Sequence, residues 1–246
     1  MSLINQKIQQ PSFKQLRTLL EQLLQNMLAI PVLTTQQKTT ISEQFRQVEV
    51  LLSQYPQQQI NVQNFNDAEI EEQIAQLIED IKSYCHPASQ DNLFTQCNEW
   101  YLAYYIWRSA NHWEIHLLEP IVNSIAEISN VLRKPEDLSF MLICIQQLLS
   151  VISKEHKDDM LYSDPRRPWR VLLLNYGIVA TRSYNGQLIE QAYDYFYQHL
   201  PEDAANFFTE AKDQMVAQNY PQPVRDIVEK YYQQYVINQS YKKQLH

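Results

Sequence analysis

The chain of 246 residues carries 28 acidic against 20 basic side chains, for a net charge of −8, and is 45 % hydrophobic and 20 % charged. That balance is globular rather than disordered, and its sign disfavours non-specific nucleic-acid binding and docking on anionic membranes. Only two residues are glycine, Gly177 and Gly186; hairpin turns, phosphate loops and nucleophile elbows draw on glycine's freedom, so β-rich folds and nucleotide-cradling motifs are excluded in their usual form.

Ser12 and Gln15 after Pro11 form a capping-box pattern, and Phe13, Leu16, Leu20, Leu23 and Met27 continue at helical spacing until Pro31. A second helix is predicted over Ile41, Phe45, Val48, Leu52 and Tyr55, ending before Pro56. A third starts at Asn66, with Glu69 three residues on, carries Ile70, Ile74, Leu77, Ile81 and Tyr84, and is closed by Pro87. These narrow seams predict a bundle of antiparallel helices over 1–87.

From residue 91 the pattern changes. Trp100 to Trp107 reads WYLAYYIW, apolar almost all round, as suits a helix in the middle of a structure. Ile121, Ile125, Ile128 and Leu132 form the next stripe. Pro135, Glu136 and Asp137 then open a helix carrying Leu138, Met141, Leu142, Ile145, Leu148, Leu149 and Ile152. Two helix–turn–helix pairs follow, from Asp164 to about Leu200 with a turn at Asn185-Gly186, and from Pro201 to about Asn238 with a turn near Tyr220-Pro221. Trp169, Leu172, Tyr176 and Ala192 fall at spacings similar to those of a tetratricopeptide repeat. Leu173 and Asn185 stand where that family has small residues, and one repeat alone matches, so membership is not implied. The expected fold is all-α, with about ten helices in antiparallel hairpins, bundle-like in its N-terminal part and helical-repeat-like in its C-terminal part, read either as a bundle segment 1–87 with a helical-hairpin domain 88–246 or as one continuous domain.

Cys85, Cys97 and Cys144 make an odd count without a C-x-x-C pair, which points to a reducing compartment. The first ten residues lack an apolar leader, and the longest apolar stretch, Leu138 to Ser153, falls short of the roughly 20 residues of a membrane span. A soluble cytoplasmic protein is expected.

Four constellations could carry chemistry. Arg166, Arg167 and Arg170 cluster at a predicted helix N-terminus, where cations oppose the helix dipole and call for an acid. Either the chain supplies it, from Asp158, Asp159, Asp164 or a neighbouring helix, or a small phosphate or carboxylate ligand does. The ion-pair alternative is the commoner one. His112, His116 and Glu119 would share a face if the stretch were helical and could hold a metal ion. Pro120 interrupts that face, and Glu114 is at the wrong offset for H-E-x-x-H, so a polar face or loop is favoured. Asp67, Glu69, Glu71, Glu72, Glu79 and Asp80 could pair for acid–base work, but a solvated face complementing the helix dipole explains them better. In the tyrosine clusters at 193–197 and 231–235 the rings cannot all face inward, which nominates Tyr195, Tyr197 and Tyr232 as interface residues.

No nucleophile triad, Walker loop or dinucleotide fingerprint occurs. The favoured expectation is a non-enzymatic α-helical interaction or scaffold protein, without cofactor, nucleic acid or membrane. Its partner would be a protein, self-association included. The alternative is a binding protein or enzyme for a small anion at Arg166, Arg167 and Arg170.

Overall fold

The computed structural model describes residues 3–55, 66–85, 91–157 and 167–238. The helices are α1 (Leu3–Gln6), α2 (Phe13–Leu28), α3 (Thr35–Gln54), α4 (Asp67–Ser83), α5 (Asp91–Ala110), α6 (Leu118–Val131), α7 (Pro135–Leu149), α8 (Lys154–Lys157), α9 (Pro168–Ser183), α10 (Gly186–His199), α11 (Ala204–Ala217) and α12 (Gln222–Tyr232). A π-turn over Gln233–Ile237 extends the last one, with the Asn238 amide bonded to the Gln233 carbonyl. The fold is all-α: among the described residues β-structure is limited to one isolated bridge, Ile115 to Ile152.

The helix starts follow side-chain chemistry. Ser12 Oγ accepts from the Gln15 amide while Gln15 Oε1 accepts from the Ser12 amide, at 3.2 and 2.9 Å. Thr34 and Gln37 build the same reciprocal box on α3, at 3.2 and 2.9 Å. Each box satisfies two amides that the first turn would leave bare. Asn66 caps α4 through the Glu69 amide. Pro56 and Pro87, expected to close helices, lie outside the described residues. One expected start is corrected. The helix predicted from Asp164 begins at Pro168, with Arg167 as its N-cap and no side-chain cap bond. Asp164 and Pro165 themselves lie outside the described residues.

Contacts divide the chain into two compact units, Met1–Val131 with Gln146–Asp158, and Leu132–Ile145 with Asp159–His246. The expected division between 1–87 and 88–246 falls inside the first of these. In the first unit α5 packs against α1, α2, α4 and α6. Every residue from Trp100 to Trp107 is buried, as the all-round apolar pattern requires. The Trp100 indole N–H donates to the Leu16 carbonyl at 3.2 Å, pinning α5 to α2.

In the second unit α9 packs on α10, and α12 on α10 and α11. Tyr193 and Phe196 of α10 meet Phe207 and Phe208 of α11 and Tyr231 of α12, with ring centres 4.5 to 5.7 Å apart. The chain makes its left-handed turns without glycine. Lys7, His112, Tyr184 and Asn219 have φ of 48, 57, 56 and 50°, and neither glycine has positive φ.

Candidate functional site

The arginine cluster already has its acids. The Arg167 guanidinium is nearly buried and lies 3.2 Å from Glu202 Oε1. Arg170 grips Asp203 with two parallel bonds, Nε to Oδ2 at 2.9 Å and Nη2 to Oδ1 at 2.6 Å. Arg166, Asp158 and Asp159 lie outside the described residues. Two of the three candidate anion ligands are thus engaged by carboxylates at the start of α11. This is the ion-pair arrangement, and it puts the compensating acids on a neighbouring helix.

A prediction follows from the geometry. Asp203 is only 13 % exposed, so Arg170→Ala strands it and should destabilise the second unit by about 1–3 kcal/mol. Glu202 is 44 % exposed and can rehydrate, so Arg167→Ala should cost less through its lost charge pair. Phosphate or sulfate should raise the melting temperature of wild type and both variants alike, by exclusion from the surface. A saturable rise absent from Arg167→Ala would restore the anion site.

The histidine constellation loses its shared face. α5 ends at Ala110, His112 turns the chain with φ of 57°, and α6 begins only at Leu118. His112 and His116 therefore stand in a loop, and Glu119 opens the next helix. His116 Nε2 lies 3.6 Å from Asp67 Oδ2, and the His116 carbonyl is 2.9 Å from His156 Nε2. Among the described residues no three His, Cys, Asp or Glu side chains are grouped as a metal site.

The three nominated tyrosines are half-buried, and each has a neighbour in the second unit. Tyr195 stacks on the His199 ring at 4.1 Å and meets Trp169 and Tyr176 edge-on. Tyr197 stacks on Tyr235 at 3.8 Å. Tyr232 lies beneath Lys212 Nζ at 4.0 Å, and Lys212 pairs with Glu229 at 2.9 Å. The structure therefore separates them. Tyr195 faces the α9 aromatics, Tyr197 of α10 lies against Tyr235, and Tyr232 of α12 lies against Lys212 of α11.

Among the described residues an extensive polar cluster centres on Arg108, which the sequence patterns do not single out. The acidic residues of α4 are not all solvated: Glu71 is fully buried and Asp67 is 20 % exposed. Both serve Arg108, itself fully buried at the end of α5. Arg108 reaches Asp67 through both terminal nitrogens, at 2.7 and 2.8 Å, and Glu71 at 3.0 Å. It also donates to the Glu114 carbonyl and to the phenol oxygens of Tyr55 and Tyr104. Glu71 in turn accepts from the Tyr105 hydroxyl at 2.8 Å and from the amides of His116 and Leu117 at 3.0 Å each. The ion network thereby fixes the 114–117 loop against α4. Its signal was present: Arg108 directly follows WYLAYYIW, and a cation there must bring acids with it.

Burial raises the phenols around Arg108. The Tyr55, Tyr101 and Tyr105 hydroxyls are pushed far above the ordinary 10.0. Tyr104 is pushed up to about 12, with the Arg108 guanidinium holding back part of the rise. The folded chain keeps protons that the unfolded chain releases at the ordinary value. The stability this brings is therefore complete below about pH 10 and is lost as pH rises towards 12 and beyond, by about 3 kcal/mol for Tyr104 alone. An alkaline titration should show these phenols ionising only together with loss of helical circular dichroism. Full phenolate absorbance near pH 10 with the helix intact would contradict that.

No helix among the described residues is long and apolar enough to cross a membrane. Comparison with protein-family models, with curated proteins and with solved structures finds no match.

Proposed function

We propose that the chain is a non-enzymatic α-helical interaction or scaffold protein, cytoplasmic in setting, whose contact surface includes Tyr197, Lys212, Glu229 and Tyr232. The observation that supports this reading is the manner in which these tyrosines are held. Tyr197 is braced face-on by Tyr235, and Tyr232 is roofed by an ion-paired lysine, yet neither ring is fully buried. Rings fixed in this way lose little rotational freedom on contact, and they offer apolar area with a polar rim. Such groups are favoured as interface anchors. Free Cys85, Cys97 and Cys144 support the reducing setting.

A photo-crosslinking amino acid placed at position 232 or 197 should trap a discrete protein adduct in cells. The same group at Val32, 73 % exposed on the first unit, serves as the control. Mass spectrometry of the adduct tells a second copy from another protein. Tyr232→Ser should reduce recovery of that partner roughly tenfold or more. Products at 197 and 232 no different from those at 32 would overturn the reading.

A further inference from the structure

We propose that the seam between α2 and α5 is a binding site for one ordered water molecule, which donates to Gln22 and links it to Gln96 or Glu99. Side chains already join these helices at two points. The Trp100 indole N–H donates to the Leu16 carbonyl at 3.2 Å, and Asn26 Nδ2 donates to Gln96 Oε1 at 2.7 Å. Beside these links the helices leave a pocket of about 10 Å³, lined by Leu19, Gln22 and Leu23 of α2 and by Gln96, Glu99 and Trp100 of α5. Gln22 lines this pocket, and its Oε1 is buried with no hydrogen-bond partner among the described residues.

The chemistry of the lining selects the ligand. A buried carbonyl oxygen left bare is costly, so native structures give such an atom a protein or water partner. The site therefore calls for a hydrogen-bond donor. Two donors close to it are engaged elsewhere, the Trp100 N–H on Leu16 and the Asn26 amide on Gln96. The lining instead supplies further acceptors. Gln96 Oε1 has a second lone pair beyond the one Asn26 uses, and Glu99 brings a carboxylate.

Water fits this set. It has two hydrogens to give, the volume stands at the lower limit for one molecule, and three polar side chains meet its need for roughly two to four partners. A divalent metal ion does not fit. Calcium takes about six to eight oxygens and magnesium a near-ideal octahedron, whereas Leu19, Leu23 and Trp100 make three of the six walls apolar. Those three side chains are 7, 2 and 1 % exposed, which closes the inner side of the pocket to bulk exchange. A bridging water is enthalpically close to a direct hydrogen bond, so it gives α2 a third polar link to α5.

A high-resolution crystal structure of the full chain, with magnetic relaxation dispersion of the water signal in solution, tests the site. Wild type should show one ordered water about 2.5–3.0 Å from Gln22 Oε1, within hydrogen-bond reach of Gln96 or Glu99. Gln22→Met keeps the length of the side chain and removes the acceptor. That water should vanish from its crystal structure, and the dispersion amplitude should fall by the contribution of one long-lived water. Should Gln22→Met fold poorly by circular dichroism, the wild-type density decides alone. Empty density beside Gln22 Oε1, a metal ion in its place, a Gln22 amide turned so that its nitrogen donates to Glu99, or equal dispersion in the two folded proteins would overturn the proposal.

Discussion

Arg108→Met should destabilise the first unit by about 3–5 kcal/mol, because it leaves two carboxylates without their cation. Glu71 is the decisive one. It is fully buried, and without Arg108 it keeps only the Tyr105 hydroxyl and the His116 and Leu117 amides as donors. At this size each kcal/mol shifts the melting temperature by roughly 2–4 °C, so a drop on the order of 10 °C is expected in calorimetry. Arg108→Lys should recover little. A single ammonium cannot reproduce the paired bonds to Asp67 while also reaching Glu71 and the Glu114 carbonyl. Pairing Arg108→Met with Glu71→Met should cost less than the sum of the two, since the double variant no longer strands the fully buried Glu71 and leaves only the partly exposed Asp67 without its cation. Amide exchange at His116 and Leu117 should quicken in every variant lacking Glu71. A loss under about 1 kcal/mol for Arg108→Met would show that water reaches Glu71 and that the network is not a dry clamp.

The helices were legible because their signals are local. Ser12 and Gln15, Asn66 and Glu69, and Pro135 with two acids mark starts that the structure reproduces. The WYLAYYIW stretch reads as buried from composition alone. What stayed hidden depends on contacts between elements. Asp67 and Glu71 look like any acidic first turn until α5 delivers Arg108 to them across a separation of 41 and 37 residues. The sequence leaves the acids for Arg167 and Arg170 open between the upstream aspartates and a neighbouring helix; they come from Glu202 and Asp203, two adjacent residues leading into α11. The shared face of His112 and His116 failed for a backbone reason. His112 takes a left-handed conformation that ends α5, and a non-glycine residue gives no composition signal for such a stop. Tyr184 does the same at the end of α9, so scarcity of glycine did not mean scarcity of left-handed turns.

Gly177→Ala should destabilise the second unit by about 1–2 kcal/mol, against the usual sign for a helix interior. Replacing an exposed mid-helix glycine by alanine normally stabilises by roughly 0.5–1 kcal/mol. At Gly177 the added Cβ would lie 2.6 Å from Phe207 Cζ, well inside contact distance. The ring has little room to retreat. Phe196 lies 4.5 Å away, Phe208 5.2 Å and Tyr193 5.7 Å, centre to centre. Tyr193 is itself held by a 2.6 Å bond to Thr181, whose hydroxyl also donates to the Gly177 carbonyl at 2.8 Å. Overpacking of this kind costs about 1–3 kcal/mol, enough to reverse the propensity gain. Phe207→Leu removes the ring edge that the new methyl would strike. In that background Gly177→Ala should turn neutral or stabilising, so the two changes should be strongly non-additive in a double-mutant cycle. If Gly177→Ala alone raises the denaturation midpoint, the Phe207 ring relaxes outward and the close approach of α9 and α11 does not require glycine.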